Sequence, residues 1–328
     1  SSSPYTVWYG IKVGEEDNKL FRNNIQGSYG FAAVDISGGR NNISSNVINV
    51  SQTDGMVIGP SGGAFIYNNT VISEYNGIVV NSFSLTIIEN KITAGFRNIA
   101  FSCVYTSSMN INRCIHEIQG NIGNGKPILY YKNLKNQAID LSGQNIGTLI
   151  IVNSTNLSIK NADVSGADGI ELYSVNSSLI ENSVVNVSKP VYGLNMVNDH
   201  RNIITNNIVS ASLNGAIVLT FSNDNIVSDN VVSGYGGIAT DPGLVFEISE
   251  NNTFVSDIIT VQGHGIVVGF SSNVYNNFIN TSGPYYVGIN GYPIIPNFWN
   301  TSLQPGANIV GGPYLGGNYY ARANGSGY

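Results

Sequence analysis

Charge is scarce in this chain: Asp, Glu, Lys and Arg make up 10% of its 328 residues, against roughly a quarter in an ordinary soluble protein. Its eight Lys and six Arg are scattered and form no patch able to hold a phosphate backbone, so nucleic acid is not an expected partner. Cysteine is limited to Cys103 and Cys114, histidine to His116, His200 and His264, and methionine to three positions. None of these falls at the spacing of a metal site, and neither a metal nor a cofactor is expected. Long apolar runs are missing too. The longest, such as Ile150-Ile151-Val152, cover a few residues, where a membrane-spanning helix needs about 20, so no transmembrane segment is expected. The first residues, Ser1-Ser2-Ser3-Pro4, contain no basic or apolar signal region and read as the start of a processed, exported chain.

What is abundant is asparagine, with 47 copies, and glycine, with 38. Hydrophobic residues reach 42% and come in β-branched clusters, which excludes disorder. The two features share a rhythm. An apolar-x-x-Asn-x-apolar pattern recurs at Leu20/Asn23/Ile25, Ile43/Asn46/Ile48, Ile66/Asn69/Val71, Ile87/Asn90/Ile92 and Met109/Asn112/Cys114. It returns at Leu179/Asn182/Val184, Ile203/Asn206/Ile208, Ile226/Asp229/Val231 and Val274/Asn277/Ile279, with Ile159/Ala162/Val164 as a weaker copy. Anchors 20, 43, 66, 87 and 109 lie 21 to 23 residues apart. A second column of Gly followed by apolar residues trails the first, at Gly30, Gly55, Gly77, Gly169, Gly193, Gly215, Gly265 and Gly288.

Short β-branched strands separated by Asn and Gly, with no helical periodicity, predict an all-β solenoid. A coil of about 23 residues, repeated roughly twelve times, stacks strand on strand in parallel, so that each coil satisfies the backbone of its neighbours: a parallel β-helix. The expected boundaries are 1–296 for the helix, irregular around 103–145, and 297–328 for a tail packing on the last coils. Asparagine suits the bends because it tolerates left-handed backbone. Asn23, Asn46, Asn69, Asn90, Asn112, Asn182, Asn206 and Asn277 are therefore expected to form a ladder of side-chain amides.

Eleven Asn-x-Ser/Thr sequons are present, at Asn42, Asn49, Asn68, Asn153, Asn156, Asn176, Asn186, Asn251, Asn280, Asn300 and Asn324. In an exported chain these are the candidate glycosylation sites. A glycan-cleaving β-helix needs carboxylates converging on one outer face, and the best alignment sets Asp224 one coil above Arg201, beside Asp199. Those three residues carry the alternative reading, a polysaccharide-active hydrolase or lyase, or a carbohydrate-binding module. Cys103 and Cys114 are eleven residues apart, nearly half a coil. Either an irregular loop at residues 106–108 folds back to join them in a disulfide, or Cys114 is a buried thiol in the inward slot filled elsewhere by Ile25 and Ile48. Tyr9–Val13 already reads as a repeat strand with no amphipathic lid before it. The end is covered by a removed upstream domain, by residues 1–8, or by another subunit, which makes self-association through open ends an expectation.

Three stretches together resemble a known family. Gly125-Lys126-Pro127-Ile128, then Ile146-Gly147-Thr148-Leu149-Ile150, then the Asn coils are similar to the NosD-like right-handed β-helix repeats of archaeal surface proteins. The tail Gly312-Pro313-Tyr314-Leu315-Gly316-Gly317-Asn318 looks like the closing segment of the same family. The resemblance implies a secreted or surface-anchored protein with a carbohydrate-related domain. The family's name derives from a copper-enzyme maturation factor, and this chain departs from any copper role in its scattered His, Met and Cys. The reading is a non-enzymatic, glycosylated surface protein serving adhesion, a filament or an envelope, with glycans as the other expected partner.

Overall fold

A computed structural model describes residues 8–105, 108–240, 249–283, 287–289 and 296–321. Among them the structure is all-β, with one 3-10 turn at Ile111–Arg113. It is a β-solenoid of about 11 turns, with about 23 residues per turn. Two compact units divide the chain: Ser1–Tyr130 with Ile146–Leu149, and Tyr131–Asn145 with Ile150–Tyr328.

In the first unit each turn contributes one strand to each of three parallel walls. Tyr9–Val13, Ala32–Ile36, Asp54–Ile58, Ile78–Val80 and Ile99–Phe101 form one. Lys19–Phe21, Asn42–Ser44, Phe65–Tyr67, Thr86–Ile88 and Glu117–Gln119 form the second. On the third wall Asn24–Ser28, Val47–Ser51, Thr70–Ser73 and Lys91–Ala94 pair in parallel. Because strand side chains alternate faces, the in-register inward positions become columns of like residues: Leu20, Ile43, Ile66, Ile87 and Ile118 stack in order. Each fully buried Ile contributes roughly 1.5–3 kcal/mol.

The second unit repeats the plan. Ala138–Asp140, Ser158–Lys160, Leu179–Glu181, Ile203–Thr205, Ile226–Ser228, Thr253–Val255 and Asn273–Tyr275 build a seven-stranded parallel wall. Its inward column runs Ile139, Ile159, Ile180, Ile204, Val227, Phe254 and Val274. Elsewhere the strands fuse across a bend, as in the 14 residues of Asp163–Asn176 and the 13 of Ile208–Thr220. The tail joins the stack as strand: Tyr319–Ala321 pairs in parallel with Phe278–Thr281, and Tyr319 stacks on Phe278 at 5.3 Å.

The glycine column has a steric cause. A Cβ on Gly77 would overlap the Ile92 side chain and press on the Asn98 carbonyl, and one on Gly193 would meet Val209 and the Ala216 carbonyl. At these corners the next turn passes too close for any side chain.

Candidate functional site

The corners of the solenoid follow a two-residue rule. A residue in left-handed backbone points outward, and the residue after it turns its side chain into the ladder. Ser45 (φ 57°), Asn68 (52°) and Glu89 (55°) precede the ladder residues Asn46, Asn69 and Asn90 in the first unit. Along that ladder the backbone N–H and the Nδ2 of Asn23, Asn46, Asn69 and Asn90 each donate to the Oδ1 of the next asparagine at 2.9–3.0 Å, ending at Asn121. Nδ2 also donates to the turn before, as from Asn69 to the Ile43 carbonyl at 2.8 Å. The amides are thus satisfied inside the molecule, as buried polar groups must be.

The second unit builds its ladder from mixed residues. The Ala162 N–H donates to Ser183 Oγ, and Ser183, Asn207, Asn230 and Asp257 each donate a backbone N–H to the next rung, Asn277 being the last of these acceptors. Asn277 in turn donates to Asn318 of the tail. A parallel column runs Ser178, Asn202, Asn225 and Asn252 at 2.9–3.0 Å.

Three of the expected ladder asparagines lie outside it. Asn182 and Asn206 are the exposed left-handed residues, both at φ 54°, and the slots belong to Ser183 and Asn207. Adjacent apolar pairs, Leu179-Ile180 and Ile203-Ile204, allow two frames one residue apart, and such a slip exchanges inward for outward. Asn112 is exposed in the 3-10 turn, within an insertion that lengthens the step from Asn90 to Asn121 to 31 residues. Cys114 accordingly does not hold the slot of Ile25 and Ile48, which Gly123 fills.

The sequon asparagines behave oppositely to the ladder. Asn49, Asn68, Asn153, Asn156, Asn186, Asn251 and Asn300 are exposed, and Asn42, Asn176 and Asn280 are half-buried. Asn324 lies outside the described residues. Asn68 and Asn251 are left-handed corner residues directly before the buried Asn69 and Asn252, so one Asn faces water and its neighbour faces the core.

The acidic constellation comes apart. Arg201 and Asp224 are exposed at left-handed corners on successive turns, with φ 56° and 59°, but no ion pair joins them among the described residues. Asp199 is the correction: it is fully buried rather than outward. Its carboxylate accepts backbone N–H groups from Val175 and, at 3.0 Å, from Val197, while its own N–H donates to Ser222 Oγ. Burial pushes its carboxyl well above the usual range, opposed by those two amides. Asp199 is a rung and cannot meet a substrate with Asp224.

The charged cluster that sequence reasoning missed lies elsewhere in the second unit. Lys189 Nζ sits 3.0 Å from Asp168 Oδ1, with both residues buried. Nearby in the chain, Glu171 Oε2 accepts from the Tyr173 hydroxyl at 2.9 Å and from Asn195 Nδ2 at 2.7 Å. The signal was present, because Asp168 and Lys189 are 21 residues apart, one turn. A sealed, neutralised pair ties neighbouring turns together and offers no accessible acid. At Arg201, by contrast, the surface carries a shallow groove of about 440 Å³, lined by Asn136, Asn156, Ser177, Leu179, Arg201 and Ile203.

Cys103 and Cys114 form a disulfide with Cα atoms 5.6 Å apart; residues 106–107 of the connecting loop lie outside the described residues. Tyr130 fixes its far side, its hydroxyl donating to the Cys114 carbonyl at 2.6 Å and accepting from the His116 N–H at 3.0 Å. His116 is buried, stacked on Phe101, with Nδ1 accepting from the Leu85 N–H and Nε2 donating to the Arg113 carbonyl. His200 Nδ1 accepts from the Asn223 N–H, and burial followed by the Arg201 charge lowers its pKa.

Residues 107–325 match the family model described as "Periplasmic copper-binding protein (NosD)". No curated protein matches the chain. Copper is bound by thiolate or thioether sulfur and by imidazole nitrogen. Here both cysteines are in the disulfide, Met56 and Met196 are fully buried in the core, and both nitrogens of His116 are engaged. No three His, Cys, Asp or Glu side chains gather as a metal site among the described residues. These donors, among the described residues, do not assemble into a copper centre. With the match covering more than half of the sequence, and the same repeat running through the residues before it, the chain belongs to the NosD family of parallel β-helix proteins.

Proposed function

We propose that this chain is a non-enzymatic, exported surface protein whose β-helix displays N-linked glycans and serves adhesion or an extracellular filament or envelope assembly. The observation that supports it most is the segregation of asparagine: none of the ten described sequon residues is buried, while every ladder asparagine after the first rung, from Asn46 to Asn121 and from Asn207 to Asn277, is. A glycan on any of the seven exposed ones, such as Asn49, Asn186 or Asn251, points away from the core and the ladder. The family is described as periplasmic, and a disulfide is consistent with a place outside the cytoplasm.

Intact-mass and glycopeptide analysis of protein from its native host tests the reading. The expected result is a mass above the 35.0 kDa of the bare chain, with occupancy at exposed sequons such as Asn49, Asn186 and Asn251. A bare 35.0 kDa chain overturns the glycan part. Electron microscopy of the same material asks whether copies join end to end, and isolated particles at high concentration overturn the assembly part.

A further inference from the structure

One rung of the second ladder departs from its neighbours. At Asn207, Asn230 and Asn277 the Nδ2 group donates to a carbonyl of the preceding turn: to Ile180 at 3.0 Å, Ile204 at 3.0 Å and Phe254 at 2.9 Å. Strand register makes Val227 the equivalent carbonyl for the Asp257 rung, since Ile204 pairs with Val227 and Val227 with Phe254. There the atom in the Nδ2 position is Asp257 Oδ2, fully buried and with no hydrogen-bond partner. The other oxygen, Oδ1, performs the rung's ordinary task, accepting the Asn230 N–H and Nδ2 at 2.9 Å each. An ionised carboxylate there turns an acceptor toward groups that want a donor, whereas a carboxylic acid supplies the missing proton.

We propose that Asp257 is held as a neutral carboxylic acid standing in for asparagine, so that this rung is complete in acid and broken in base. Its Oδ2–H donates toward the ladder where every neighbouring rung presents an N–H. The charged group bearing on it among the described residues is Asp229, exposed at the corner one turn back, whose negative charge further disfavours ionisation. Its other neighbours along the ladder, Asn230 and Asn277, are uncharged amides. Burial raises the Asp257 pKa to about 7, from 3.8. A folded-state pKa above the unfolded one means that the native chain binds the proton more tightly. The rung's contribution is therefore full below about pH 4, declines as pH rises to about 7, and is constant beyond.

The test is the thermal unfolding of the full chain against Asp257→Asn, from pH 4 to pH 9. The two proteins differ in ionisable groups at this position alone, so a pH-dependent difference between their midpoints reports on the Asp257 carboxyl. The expected difference is near zero at pH 4 and grows to about 5 °C in favour of Asp257→Asn by pH 7 to 8. Amide exchange at Asn230 N–H provides a second readout: it is expected to quicken with pH beyond the intrinsic rate in the parent alone. A midpoint difference that does not change with pH, or an Asn230 N–H equally protected in both proteins across the range, overturns the proposal.

Discussion

The two units satisfy their interiors with different chemistry. The first fills its ladder with amides, Asn23 through Asn121, and keeps an ion-pair cluster outside, where Arg40 meets Glu16 at 2.6 Å and Asp17 at 2.9 Å with more than half of each side chain exposed. Its shielded acid, Asp35, lies 3.8 Å from Lys12. The second unit seals in Asp168, Glu171, Lys189, Asp199 and Asp257. Turn length and core columns are alike, so neither sets this difference. Amides hold the same hydrogen bonds at every pH, whereas carboxyls and amines hold them only in one protonation state. The second unit buries more carboxyl groups of this kind than the first, whose buried titratable side chains among the described residues include Asp35 and His116.

Four variants break or sharpen that contrast. Asp168→Ala leaves the buried Lys189 ammonium without its carboxylate and is expected to cost about 3–5 kcal/mol, seen as lost amide protection in the second unit with the first unit unchanged. Asn69→Ala removes the acceptor of two buried Asn46 donors, at a cost of about 3 kcal/mol by denaturant unfolding. That cost should be equal at pH 5 and pH 8, since both partners are amides. Replacing Cys103 and Cys114 by Ser frees an eleven-residue closure and is expected to cost about 2–3 kcal/mol, with reductant producing no further change in the variant. Arg40→Ala should leave the unfolding midpoint unmoved at high salt, because exposed pairs are screened.

The repeat made most of the architecture legible. A 21 to 23 residue spacing of apolar and Asn positions is enough to imply stacked parallel strands, and Asn23, Asn46, Asn69 and Asn90 occupy the slots that it implies. It was less decisive where two apolar residues stood side by side, as at Ile203-Ile204, because either could face inward. The frame is settled there by the left-handed corner before each rung, a backbone property that Asn206 and Arg201 share without sharing chemistry. Asp199 was misread as outward for the same reason: its neighbours Asn198 and Arg201 are the left-handed, outward corners. The Asp168–Lys189 pair was one turn apart in plain view. Its burial could not be read, because period alone does not say which outward positions are covered.

The 31-residue step between Asn90 and Asn121 has an engineering consequence. Extra chain enters at one corner, is stapled by Cys103–Cys114, and returns with the ladder amides still 2.9 Å apart. A solenoid that absorbs such a detour without changing register has a natural port for foreign sequence. A short epitope or ligand-binding loop spliced between the two cysteines should leave the turns before and after it intact, making this corner the place to graft a new segment onto the β-helix.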